Sequence, residues 1–100
     1  MIVVRDIFQL KFGKARDAQA SWKEGFALFT RHFPKYKPGR LMTDVVGEYY
    51  TMVLESEYES LTEFENRGKE ISGNEEWRKW YGTFTPYVES GRREIFNVVL

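Results

Sequence analysis

The stretch MTDVVGEYYTMVLES, Met42–Ser56, reads as a β-hairpin. β-branched and aromatic residues fill both arms, and Gly47-Glu48 marks the turn between them. Side chains alternate along a strand, so Tyr50, Met52 and Leu54 share one face of the second arm. Tyr49, Thr51, Val53 and Glu55 share the other. The first face is uniformly apolar and calls for a core. The second is half apolar, and a sheet face of that kind meets something other than water.

Upstream of the hairpin, Ile2–Lys11 reads as a strand with Ile2, Val4, Phe8 and Leu10 on one face and Asp6 as the exception. Gly13 ends it. A long helix follows, with Ala15, Ala18, Trp22, Gly25, Phe26, Phe29 and Phe33 at the spacing of a single helical face. Gly25 on that stripe implies that the helix lies close to the sheet there. Pro34 stops the helix, and Pro38-Gly39 turns the chain into the hairpin.

Downstream, Ser56 and Ser60 each open an S-x-x-E capping box, with Glu59 and Glu63. The helix they start carries Leu61, Phe64, Gly68 and Ile71. Gly73 reads as its C′ residue and Asn74 as the cap of another helix. Glu75 and Glu76 complement the dipole of that helix, whose stripe is Trp77, Trp80, Tyr81, Phe84 and Val88, with Pro86 ending or kinking it. Gly91 leads into a closing strand, Arg92–Leu100.

The resulting order, βαββααβ, predicts an α+β, ferredoxin-like subunit over residues 1–100, with a four-stranded antiparallel sheet and helices on one face. The bare face would carry Tyr49, Thr51, Val53, Glu55, Phe96 and Val98. A two-fold homodimer, sheet against sheet, would cover it.

Composition narrows the function classes. One hundred residues predict one small domain, for which oligomerisation is a common supplement to a limited core. Fifteen basic and fifteen acidic residues balance, which argues against a general nucleic-acid binder. Arg31, Lys35, Lys37 and Arg40 still make a local basic loop, either a solvated surface or an attractor of anions. With no cysteine there is no disulfide framework and no thiolate chemistry. No run is apolar enough to span a membrane, and the first residues lack a signal-peptide pattern, so a cytoplasmic protein without membrane or nucleic-acid partners is the expectation.

The residues also resemble a known family. LKFGK at 10–14 resembles the LKPGK that ends the first strand in the NIPSNAP-like branch of the dimeric α+β barrel superfamily. The run DVVGEYYTMVLESEYESLTEFE resembles that family's hairpin and second helix, and the ending W-R-K-W…P-Y-V…G-R-R-E-I-F-N-V-V resembles its tail. Phe12 stands where the family usually has proline. The resemblance implies a dimeric α+β barrel, related to antibiotic-biosynthesis monooxygenases that need no cofactor, to haem-degrading enzymes and to proteins of no known activity. His32 does not match the histidine that the haem-degrading relatives use as an iron ligand.

Chemistry candidates follow. His32 is the sole histidine and reads as a boundary residue or a general base. Asp44 and Tyr49 are the other candidates for handling protons in a cofactor-free monooxygenase or isomerase. Trp22, Phe26, Trp80 and, with them, Phe29, Trp77, Tyr81 and Phe84 are candidates to line a pocket for a small, partly aromatic ligand, or else belong to an ordinary core. Arg5, Gln9 and Glu55 are strand polar groups that orient such a ligand, or else pair across strands, Arg5 with Glu55 or Glu94. No metal spacing, phosphate loop or nucleophile elbow is present, so neither a metal nor another cofactor is expected. The competing reading is a non-catalytic binding or assembly module.

Overall fold

A computed structural model describes residues 1–100. Strand β1 spans Ile2–Leu10, helix α1 Ala15–His32, β2 Arg40–Thr43, β3 Thr51–Tyr58, α2 Leu61–Ser72, α3 Glu75–Phe84 and β4 Val88–Asn97. A single 3₁₀ turn, Thr85–Tyr87, joins α3 to β4. The four strands are antiparallel in the order β2-β3-β1-β4, the ferredoxin-like arrangement that the element order predicts.

The caps explain where the helices begin. Of the two capping serines, Ser60 is used: its Oγ accepts from the Glu63 N–H at 3.1 Å. The Glu63 carboxylate accepts in return from the Glu59 N–H at 2.6 Å. Asn74 caps α3 by accepting from the Trp77 N–H at 2.9 Å. Gly73 terminates α2 in a right-handed conformation, φ −76°, rather than the left-handed one expected of a C′ glycine.

The hairpin is present, but its turn is not the tight Gly47-Glu48 reversal. Residues 44–50 form a longer loop, closed by the Asp44 carboxylate, which accepts from the Thr51 N–H at 2.9 Å, and by the Thr51 hydroxyl, which donates to the Glu48 carbonyl at 2.8 Å. Tyr50 takes a positive φ of 60° there and so leaves the strand. The last strand also differs. It begins at Val88 and ends at Asn97, with Gly91 inside it opposite Phe8 and a bulge between Gln9 and Leu10. Leu100 lies beyond it, fully exposed.

The core is solid at one end. Leu10, Ala18, Trp22, Met52, Trp80 and Phe84 are all nearly inaccessible. Trp22 meets Trp80 and Phe84 edge-on, with ring centroids 4.7 and 5.3 Å apart. Gly25 permits this packing, though not by approaching the sheet. A Cβ at Gly25 would lie 2.4 Å from the Trp80 ring, so the close approach is between α1 and α3.

Candidate functional site

Register assigns each strand residue to a face. Val4, Asp6, Phe8, Leu54, Ser56, Tyr58 and Arg93 look toward the helices, while Arg5, Ile7, Gln9, Val53, Glu55 and Glu94 look away. On the helix side the core does not continue past Trp22 and Phe8. A half-open cavity of about 390 Å³ takes its place, between the sheet and all three helices.

Helix α2 roofs this cavity. Phe64, Arg67, Gly68 and Ile71 recur at helical spacing and all line it, yet α2 has no fully buried residue. Its inward stripe is only partly packed, with Phe64 edge-on to Tyr58 at 5.2 Å, and the rest borders the cavity. Phe26 and Phe29 of α1, Trp77 and Tyr81 of α3, and Val4 and Leu54 of the sheet supply the remaining apolar wall. An apolar hollow with a few convergent polar groups is the usual form of a small-molecule site.

The polar groups are specific. Asp6 accepts from Arg93 Nε at 2.5 Å across β1 and β4. Arg67 donates to Glu63 at 2.6 Å, and its guanidinium lies between the rings of Tyr36 and Tyr58 at 4.3 and 4.5 Å from their centroids. Burial pushes the Tyr58 phenol above its ordinary pKa of 10.0, partly offset by Arg67. Burial also raises Tyr81, with the Asp6 charge adding to it. Both phenols therefore remain donors throughout the neutral range.

A pH dependence follows from the sign of these shifts. A phenol whose folded pKa is raised contributes its full stability below the unfolded value, near 10, and loses it as pH climbs through the folded value. Tyrosinate absorbance during an alkaline titration should show a late component that Tyr58→Phe removes in part. A curve unchanged by that substitution would contradict the burial described here.

The sequence-derived candidates divide. Trp22 and Phe26 line the cavity. Trp80 does not: it is buried in the solid end, where its N–H donates to the Ser21 carbonyl at 3.0 Å. Arg5 and Glu55 sit on the opposite sheet face and pair with each other at 2.8 Å, the cross-strand alternative. Glu55 also accepts from Arg40, and its carboxyl is held below the ordinary range, first by Arg5 and then by Arg40 against the opposing effect of burial. Gln9 and Asp44 border a second half-open hollow, of about 460 Å³, on that same face beneath the 44–50 loop, with few apolar residues in its lining. Tyr49 is exposed at the loop tip. His32 lies outside the cavity at the end of α1, with Nε2 2.9 Å from Glu76, which Arg31 also engages. The three proposed proton carriers thus do not converge on the cavity or on one another.

The residues missed were Asp6, Tyr58, Arg67 and Arg93. Asp6 gave one signal, as the lone charge on the apolar face of β1. No group of three or more His, Asp or Glu side chains is placed to hold a metal ion.

No protein-family model and no curated protein matches the chain. Solved structures do. A NIPSNAP family protein from Agrobacterium tumefaciens superposes with a TM-score of 0.88 at 17% identity, over 98% of this chain and 85% of that one. The chain has the fold of the NIPSNAP proteins. It extends to a putative antibiotic biosynthesis monooxygenase from Nitrosomonas europaea, with a TM-score of 0.71, 13% identity and 100% of both chains covered. A cofactor-independent oxygenase from Streptomyces nogalater gives 0.71 at 10% identity, over 99% of this chain and 93% of that one. At these identities the NIPSNAP likeness concerns architecture, and it agrees with the resemblance carried by LKFGK, the hairpin and the tail.

Proposed function

We propose that this protein is a cytoplasmic, NIPSNAP-like homodimer that binds a small, partly aromatic molecule in the cavity between sheet and helices. The observation that carries the reading is the cavity of about 390 Å³ that Phe64, Arg67 and Ile71 of α2 line together with Trp22, Phe26 and Trp77. Apolar walls that border space forfeit part of their dispersion energy, and a flat ligand would restore it.

The oxygenase among the fold relatives suggests one use for such a cavity: a dry chamber for a substrate that itself reacts with oxygen. This chain offers a single carboxylate there, Asp6, already engaged by Arg93. Holding a ligand is therefore the function its side chains support most directly.

The dimer rests on the open sheet face. Met42, Val53 and Phe96 place apolar area there around the nearly covered Ile7, between the Arg5–Glu55–Arg40 and Arg92–Glu94 pairs. Val45, Val46 and Tyr49 at the loop tip, and Val98 and Val99 after β4, add exposed apolar surface. These same residues favour the second reading, an assembly module without a ligand.

Thermal unfolding with flavins, haem and phenolic compounds separates the two. A ligand at a hundred times its Kd should stabilise the fold by about 2.7 kcal/mol and raise the melting temperature accordingly. Flat curves across all three classes would leave only the assembly reading.

A further inference from the structure

The cavity's charge is one-sided. Lys37, Arg67, Arg78 and Arg93 line it, against the single carboxylate of Asp6. Asp6 is taken up by Arg93, and Glu63, outside the lining, by Arg67. Lys37 and Arg78 have no carboxylate partner, although one Arg78 N–H reaches the Ser72 carbonyl. The Arg67 side chain is only 12% exposed, so its charge is screened less by salt and water than a surface one.

From this excess of cationic side chains we infer that the ligand is an anionic aromatic compound, an aryl carboxylate or its close equivalent. Its ring would lie against Phe26, Phe64 and Trp77. Its carboxylate would pair with the Arg67 guanidinium, with Lys37 and Arg78 at the rim supplying long-range attraction. A neutral aromatic of the same size would fill the same space and leave the positive charge uncompensated. The inference rests on the binding role proposed above and specifies the ligand's charge.

Paired probes test it. 2-Naphthoate and 2-naphthamide share a ring and differ in charge, and their affinities for the full chain are measurable by titration calorimetry. The carboxylate should bind about tenfold more tightly or better. Arg67→Met should erase most of that preference. Because Arg67 also braces Tyr36 and Tyr58, a second variant, Lys37→Ala/Arg78→Ala, changes exposed residues only and should shrink the preference with the fold intact. Equal affinities in the unmodified protein, or a preference for the amide, would overturn the anionic inference while leaving the cavity as a binding site. Failure of both probes to bind would overturn the two together.

Discussion

Phe84→Ala should remove about 3–5 kcal/mol of folding stability. Phe84 is wholly inaccessible and touches the cluster from every side. Its ring meets Phe8 edge-on at 5.2 Å and Trp22 at 5.3 Å, and stacks on Trp80 at 6.2 Å with an interplanar angle of 5°. Truncation loses the transfer energy of the ring and leaves a void that Trp22 and Trp80 cannot close without abandoning each other. A domain of this size has roughly 5–15 kcal/mol in total, so the loss should appear as a fall in melting temperature of at least about 12 °C. Urea unfolding gives the free energy directly. A cost under about 1 kcal/mol would mean that this end of the molecule is not the close-packed body described.

Val53→Lys should convert a dimer to a monomer. Val53 lies at the centre of the open sheet face, opposite Ile7 on β1 and Met42 on β2. In a lone protomer the lysine stem can lie along the sheet and its ammonium reach water, so folding should change little. In a two-fold interface the substitution counts twice, placing two like charges near the axis in a region emptied of water. Each 1.4 kcal/mol lost raises the dissociation constant tenfold. Sedimentation at micromolar concentration should show a dimer for the natural sequence and a monomer for the variant, with unchanged circular dichroism. A natural sequence that sediments as a monomer would remove the sheet-to-sheet assembly from the account.

Much of the fold was legible because its signals are local. Gly13, Pro34, Ser60, Asn74 and Pro86 punctuate the chain near the element boundaries, and the stripes on α1 and α3 are regular. The 44–50 loop was misread because its closure depends on the Asp44 side chain bonding to Thr51, which composition does not reveal. Gly25 marked a close approach correctly but could not say whether the neighbour was strand or helix.

The site was less legible because it is assembled across distance. Asp6 and Arg93 meet only through the β1–β4 register, 87 residues apart. Arg67 reads in sequence as the i+4 partner of Glu63, and nothing local shows that its guanidinium also reaches Tyr36 and Tyr58. Trp22 and Trp80 carry the same periodic signal and both belong to the core, yet only Trp22 also lines the cavity. Arg5, Gln9 and Glu55 were placed on strands correctly, but alternation alone does not tell which face the helices cover.

A ligand held between α2 and the sheet, with the opposite sheet face left to a second copy, should be visible in nitrogen–proton correlation spectra recorded during titration with 2-naphthoate. Shifts should concentrate at the Trp22 indole N–H and at the amides of Phe64, Gly68 and Ile71, with Gln9, Met42 and Val53 unmoved. Perturbation confined to Gln9, Met42 and Val53, or no perturbation at saturating probe, would contradict that placement.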